Sequence, residues 1–385
     1  MNVSSEKQKK LRIGVLFGGR SGEHDVSLVS AKAVMKTLRA SGRYEVVPIG
    51  ITREGDWIVH PKAHALLAQQ SQLGLGGPKP AYHDEITEED RARGGLGSLV
   101  ANQSARRPVD VIFPVLHGPM GEDGTVQGFL ELTGIPYVGS GVAGSALCMD
   151  KDLFKRIARD AGLDVAPWVA VSRASWRRDP DSVRARVESL RLPLFVKPAN
   201  MGSSVGISKI SDIAFFDDAM NEAAKYDTKI VIEEGIDARE IECGVLGNDE
   251  PMASLPGEIV PAGEFYDYAA KYVDDTSALY IPADLPKKTM RAVQKAACRA
   301  FVAAECAGMA RVDFLLDRND GTIYLNEINT IPGFTPISMY SKMWDASGIP
   351  YDELLDRLIA LAIERHDDRA DVTTHFALPG DAETE

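Results

Sequence analysis

Apolar residues along the chain fall into short runs that alternate with longer stretches of helical spacing. Leu11 to Phe17 reads as a strand running into Gly18-Gly19, and the spacing predicts a helix from about Asp25 to Leu38. Strands follow at Tyr44–Ile51, Val109–Val115 and Tyr137-Val138. Strands alternating with helices predict a parallel sheet for a first unit over residues 1–139. A dinucleotide site is the obvious rival there, but Gly18-Gly19 does not continue as Gly-x-Gly-x-x-Gly. The segment from about Pro61 to Pro108 is rich in Gly, Gln and charge and predicts an irregular insertion with short helices.

A second unit, 140–236, reads as helix Lys151–Ala161, strand Trp168–Val171, helix Asp181–Leu190 and strand Leu194–Lys197. Strand Val205–Ile210, a helix from about Ile213 to Tyr226 and strand Lys229–Glu233 complete it. A third, 237–368, carries strands near Glu240–Leu246 and Glu258–Val260, a helix Lys287–Ala307, a hairpin and a closing helix Tyr351–Ile363. Residues 369–385, acidic at the end, predict a disordered tail.

The hairpin is where chemistry first enters. Apolar Phe314-Leu315-Leu316 and Thr322-Ile323-Tyr324-Leu325 flank the turn Asp317-Arg318-Asn319-Asp320-Gly321. Asp313 precedes the first strand, and Glu327 and Asn329, two apart, point to one side of the second. Three hard oxygen donors suit Mg²⁺, which shares its shell with substrate phosphates. Alone, the cluster could equally be a polar rim.

A second signal lies upstream. The strand Leu194–Lys197 ends on a lysine and opens into Ala199-Asn200-Met201-Gly202-Ser203-Ser204-Val205-Gly206. Small residues let backbone N–H groups close on an anion, hydroxyls add donors, and the lysine supplies a point charge. The Walker order Gly-Lys-Ser/Thr is missing. A Gly/Ser loop is often only a connector, yet lysine, loop and acidic hairpin together fit a nucleotide–metal site.

Composition narrows the class. The chain has 385 residues, 44% hydrophobic and 26% charged, enough for two or three domains. Its net charge of −13, with no basic stripe, argues against a nucleic-acid partner. No apolar run approaches the roughly 20 residues of a membrane span, and no leader is visible before Leu11. Cys148, Cys243, Cys298 and Cys306 form no Cys-x-x-Cys pair. Free thiols in a cytoplasmic protein are expected.

The ordered blocks Gly18–Ser27, His117–Gly124, Met149-Asp150-Lys151, Lys197–Gly206, Phe265–Tyr272 and Arg311–Gly333 resemble the ATP-grasp ligases, and within them the D-alanine–D-alanine ligase family. They run in family order over roughly residues 11 to 365. The resemblance implies an α/β fold (α+β overall): a Rossmann-like N-terminal domain plus a two-lobed ATP-grasp fold. It implies ATP-driven ligation of two D-alanines through a D-alanyl phosphate, for peptidoglycan synthesis. Two Mg²⁺ or Mn²⁺ are implied, one on Asp313 and Glu327 and one on Glu327 and Asn329, with K⁺ an open question. Lys151, Lys197, Ser204, Glu233, Glu240 and Lys271 match nucleotide-binding positions, although Glu233, Glu234, Glu240 and Glu242 crowd one stretch and leave the roles among them open. Glu23 matches the anchor of the first ammonium, His117 the residue near the first carboxylate, and Ser338 the hydroxyl on the second carboxylate. Arg311 and the N–H of Gly333 match the oxyanion donors. Tyr266, Tyr268, Lys271 and Tyr272 match a lid, on which Tyr272 bonds Ser203 and Ser203 reaches Glu23. Tyrosine at 272 favours an amine nucleophile over a hydroxyl one. The partners expected are D-alanine, ATP and a second copy of the chain, with no nucleic acid and no membrane.

Each position also has a plainer reading: Glu23 as a first-turn acid, His117 as a capped loop residue, Arg311 as the partner of a nearby acid, Gly333 as a turn glycine. Two further functions stay open. One is another carboxylate–amine ligase; the other is a regulatory protein that keeps the fold without turnover, against which Arg311, Asp313, Glu327 and Asn329 all stand.

Overall fold

The computed structural model describes residues 10–59, 63, 67, 108–260 and 278–373. Most of the predicted insertion at 61–108 and the whole lid, with Lys271 and Tyr272, lie outside the described residues.

The first sheet contains β1 (Leu11–Gly18), β2 (Tyr44–Ile51), β3 (Trp57–Val59) and β4 (Val111–Pro114), in the order β3-β2-β1-β4. β1 pairs in parallel with β2 and β4, and α1 (His24–Ala40) makes the crossover that a parallel pair requires. β3 adds an antiparallel edge that the sequence pattern did not predict. Tyr137 adds only a single parallel bridge, to Ile112. Helices α2 (Thr125–Thr133), α3 (Val142–Met149) and α4 (Lys151–Asp160) lead to the second unit.

There, β5 (Trp168–Ser172), β6 (Leu194–Pro198), β7 (Ser208–Ile210) and β8 (Lys229–Glu234) form an antiparallel sheet in the order β5-β8-β6-β7. The helix expected over Asp181–Leu190 is α6 (Pro180–Val187), and it is preceded by α5 (Arg173–Arg178), which the sequence pattern did not predict. Pro180 starts α6, where a missing N–H costs nothing, and Asp179 caps it by accepting from Ser182 N at 3.1 Å. β7 starts three residues later than expected. Ser203, Ser204 and Gly206 take φ of 49°, 60° and 71°, left-handed values no strand accommodates. A short 3₁₀ turn over Ile213–Phe215 precedes α7 (Phe216–Tyr226).

The third sheet holds β9 (Ala238–Gly247), β10 (Met252–Ala253), β11 (Gly257–Val260), β12 (Ala278–Tyr280), β13 (Gly308–Asp317) and β14 (Ile323–Asn329). Its order is β12-β11-β9-β13-β14, with β10 on β9. Strict alternation along β9 decides its two faces. Ile241, Cys243 and Val245 are fully buried in one core with Val293, Ala297 and Phe301 of α8 (Lys287–Ala303), while Glu240 and Glu242 take the other face. α8 stops four residues before the expected Ala307, because Glu305 is left-handed at φ 55°.

After α9 (Met339–Ala346), the closing helix α10 (Tyr351–Ala370) runs seven residues past the predicted end, so the first two residues of the expected tail are helical. Residues 374–385 lie outside the described residues. Leu354, Leu355, Leu358 and Ile359 of α10 bury their side chains with Ile13, Val15 and Phe17 of β1 and with Leu246 and Met309 of the third sheet. Each such burial contributes roughly 1.5–3 kcal/mol, so the helix pins the first sheet to the third. Among the described residues no helix is long and apolar enough to cross a membrane.

Candidate active site

The β13–β14 hairpin pairs Arg311 with Asn329, Val312 with Ile328 and Asp313 with Glu327. Beyond Asp313 the register shifts, so Phe314 faces Leu325 and Asn326 is the extra residue. This bulge lets buried Phe314 and Leu325 meet in the core while Asp313 and Glu327 still face one another on the opposite side. The predicted hairpin is present; its bulge is not visible in the spacing. On the other flank of β13, Glu242 pairs with Asp313 and Gly244 with Arg311. Glu242, Asp313 and Glu327 therefore form one row across three strands.

Arg311 is the cation of this row. Its Nε and Nη2 donate to the two Asp313 oxygens at 2.8 and 2.6 Å, and Nε lies 3.1 Å from Glu242 Oε2. Burial works against the guanidinium, yet the charges of Asp313 and Glu242 hold its pKa well above the usual arginine value.

Two adjoining cavities open on these residues. The larger, about 550 Å³, lies between the second and third sheets and is lined by Lys197, Ser204, Glu233, Glu240 and Asp313 among others. The smaller, about 230 Å³, is lined by Glu23, His117, Glu122, Asn329, Gly333 and Ser338 among others. Lys151, Gly202, Ser203, Glu242, Arg311 and Glu327 border both. Of the residues to which the resemblance gives a role, those on the lid lie outside the described residues, and the other fourteen line one cavity or both.

In the larger cavity the crowded glutamates separate. Glu233 is buried, hydrogen-bonded by Lys197 Nζ and paired with Lys155 Nζ at 3.0 Å. Burial raises its pKa, but Lys155 and Lys197 outweigh that and bring it down to about 2. Glu234 instead holds Arg191, 3.0 Å from Nη2, and Glu240 and Glu242 share the cleft face of β9. Lys155 was missed by sequence reasoning, although it stands four residues after Lys151 on α4, the spacing that places two side chains on one helix face. Lys151 donates to Met201 O at 2.7 Å, tying α4 to the loop that carries Ser203 and Ser204.

In the smaller cavity Glu23 occupies the N-cap of α1 but makes no capping bond with its side chain. The Ser203 hydroxyl donates to Glu23 Oε1 instead. A Cβ at Gly118, at φ 76°, would sit 2.6 Å from Glu23 Oε2, so a larger residue there would displace the carboxylate. His117 is buried with both ring nitrogens engaged: Nδ1 is 2.9 Å from Ile331 O and Nε2 3.2 Å from Ser30 Oγ. Burial lowers its pKa against the pull of Glu23, so a neutral ring donates from Nδ1 and accepts at Nε2. It braces the segment that carries Thr330 to Gly333. Asn329 Oδ1 accepts from Ile331 N at 3.0 Å, and Ser338 Oγ accepts from Thr335 N at 3.1 Å, so the same segment is tied at both ends.

Glu122 is a second residue that carried no assigned role. One oxygen accepts from Gly118 N at 2.7 Å, while the other is buried with no hydrogen-bond partner among the described residues. Burial, then the charge of Glu23, pushes its pKa well above the ordinary value.

No three His, Cys, Asp or Glu side chains among the described residues converge as a ready-made metal cage. Asp313 and Glu327 nonetheless face each other directly, with Glu242 in the same row, so three carboxylates gather around the single positive charge of Arg311. Two carboxylates and an amide oxygen fit a hard divalent ion that completes its shell with phosphate.

A cleft between two antiparallel sheets, with lysines on one wall and an acidic hairpin on the other, defines an ATP-grasp enzyme. Comparison with known proteins narrows the class. The family model described as D-ala D-ala ligase N-terminus matches residues 12–140, and that described as D-ala D-ala ligase C-terminus matches residues 157–360. A D-alanine–D-alanine ligase of Thermoanaerobacter sp. (strain X514) is 50% identical over 94% of this chain and 99% of its own. One from Geobacillus thermodenitrificans is 48% identical over 95% and 99%. Among solved structures, the D-alanine–D-alanine ligase of Coxiella burnetii superposes with TM-score 0.76 at 40% identity, covering 94% of this chain and 97% of that one. A D-Ala:D-Ser ligase from Enterococcus faecalis gives 0.77 at 36%, covering 92% and 100%. The chain belongs to the D-alanine–D-alanine ligase family.

Proposed function

We propose that the protein ligates two D-alanines to D-alanyl-D-alanine, using ATP, in the cytoplasmic phase of peptidoglycan synthesis. What carries the reading is the shared wall of the two cavities: Lys151, Ser203, Arg311 and Glu327 border a nucleotide-sized cleft and a small polar chamber at once. A phosphoryl group passed across that wall moves from the nucleotide to a carboxylate in the chamber.

In the first step, a carboxylate oxygen of D-alanine takes the γ-phosphoryl group, and ADP leaves. Glu23, steadied by Ser203, holds the ammonium, which fixes the configuration at Cα. Lys151 and Lys197 meet the nucleotide phosphates, Ser204 adds a donor, and Glu233 and Glu240 serve the adenosine end. In the second step, the amine of the other D-alanine, having lost a proton, attacks the acyl carbon and forms the C–N bond as phosphate leaves. Arg311 and the Gly333 N–H stabilise the oxyanion, while His117 and Ser338 set the chamber wall and the second carboxylate. Asp313, Glu327 and Asn329 would hold Mg²⁺ or Mn²⁺ ions, which neutralise phosphate charge when bound. Lys271 and Tyr272 belong to a lid that keeps water from the acyl phosphate. Units at 1–139, 140–236 and 237–368, a homodimer and activation by K⁺ complete the proposal.

The test is phosphate release from ATP with D-alanine, L-alanine or neither. Release that needs D-alanine, ignores L-alanine and fails in Glu327→Gln supports the reading, and release without D-alanine sinks it. The E. faecalis likeness favours one second reading, D-serine as the nucleophile. Competition between the two amines decides it by the product formed.

A further inference from the structure

A divalent ion on Asp313 creates a conflict that the resting arrangement displays. Asp313 is the two-point partner of Arg311, with both oxygens engaged at 2.8 and 2.6 Å. A carboxylate that turns to a metal gives up that grip, and a buried guanidinium without a fixed anion is costly. Glu242 stands on the opposite side of the same arginine, with Oε2 3.1 Å from Nε. It lies in register with Asp313 on the neighbouring strand, its carboxylate is buried, and it borders both cavities. Facing it are Arg311, Asp313 and Glu327.

We propose that Glu242 is a positioning residue, the anchor that keeps Arg311 aimed at the reacting centre when the divalent ion claims Asp313. This rests on the reading of Asp313 as a metal ligand and Arg311 as an oxyanion donor. The role requires no contact between Glu242 and substrate. β9 is well suited to the task, because α8 packs against its other face and β11 and β13 pair with its two edges.

The full-length protein tests it in two measurements on Glu242→Gln, which keeps the shape and loses the charge. The first is steady-state kinetics, where kcat falls roughly ten- to a hundredfold while KM for ATP and D-alanine stays within about threefold. The second is Mn²⁺ binding with a non-hydrolysable ATP analogue, followed by electron paramagnetic resonance, where affinity stays within about threefold. Glu242→Asp recovers part of kcat, and it carries the test if the Gln variant does not fold. Wild-type kcat in Glu242→Gln overturns the proposal, as does wild-type kcat in Glu242→Asp where the Gln variant does not fold. So does a tenfold or greater loss of Mn²⁺ binding with kcat restored at saturating metal, since Glu242 is then itself a ligand. Asp313→Asn is measured alongside. If it binds Mn²⁺ as the wild type does, the metal assignment fails; if it loses Mn²⁺ while Glu242→Gln keeps full kcat, only the anchor fails.

Discussion

Lys155 and Glu233 form an ion pair sealed from solvent, 3.0 Å between Nζ and Oε2, with side chains 2% and 4% exposed. Lys197 bonds the same carboxylate from β6, so α4, β6 and β8 meet on one charge. Removing one member of a buried pair leaves an uncompensated charge, which costs about 3–5 kcal/mol. Lys155→Met is therefore expected to destabilise the protein by about that amount in urea melts. Glu233 adds a pH signature. Its folded pKa of about 2 lies below its ordinary 4.5, so its stabilisation is present above pH 4.5 and fades as pH falls toward 2. The acid limb should flatten in Glu233→Gln. An unchanged limb would mean that the pair does not govern acid stability.

Gly118 and Glu23 give a sharper test of the smaller cavity. Gly118→Ala places a Cβ 2.6 Å from Glu23 Oε2 on a backbone at φ 76°. Strain of this kind costs roughly 1–3 kcal/mol. The carboxylate must move, and Ser203 loses its acceptor. The expected result is a tenfold or greater rise in KM for the first D-alanine with KM for ATP nearly unchanged. Equal rises in both would place Glu23 outside the amino-acid site.

Much of this was legible in the sequence, for reasons that differ by element. In the third sheet β9, β11 and the hairpin were legible while the short β10 and β12 were not, and Glu327-x-Asn329 opposite Asp313 follows from the hairpin. The bulge after Asp313 leaves no trace in residue types, because Asn326 looks like any polar strand residue. Lys155 hid among the charges of α4, and its burial depends on Glu233, far off in sequence. Left-handed Gly206, which follows the left-handed pair Ser203 and Ser204, shortened β7 to Ser208–Ile210. The start of α6 was readable from the sequence, whereas the short α5 before it was not expected.

Asp150 links helix capping to the placement of Lys151. Its Oδ1 accepts from Asp152 N and Leu153 N, both at 3.1 Å, and its Oδ2 pairs with Lys229 at 2.6 Å. Those bonds fix the first turn of α4, from which Lys151 reaches Met201. Asp150→Ala should cost about 1–2 kcal/mol from the lost cap and raise KM for ATP severalfold. Asp150→Asn keeps the acceptor but loses the charge opposite Lys229, and should recover most of the stability. If both variants bind ATP normally, Lys151 is positioned by something other than this cap.

Glu122 offers a substitution expected to improve stability. Its buried carboxyl, near the charges of Glu23 and Glu327, titrates well above the ordinary 4.5. The sign follows directly: a carboxyl with a raised folded pKa favours folding at low pH, and that contribution is lost as pH rises through the folded value. At neutral pH the wild type carries the cost of keeping the group protonated or of ionising it in a buried site. Glu122→Gln removes that cost, and its amide oxygen can still accept from Gly118 N, 2.7 Å away in the wild type. The variant is expected to be more stable by about 1–2 kcal/mol at pH 8, with a smaller gain at pH 5. Paired urea melts at the two pH values measure this. A variant less stable at pH 8 than at pH 5, relative to wild type, would show that Glu122 is ionised and held by a cation in the folded protein.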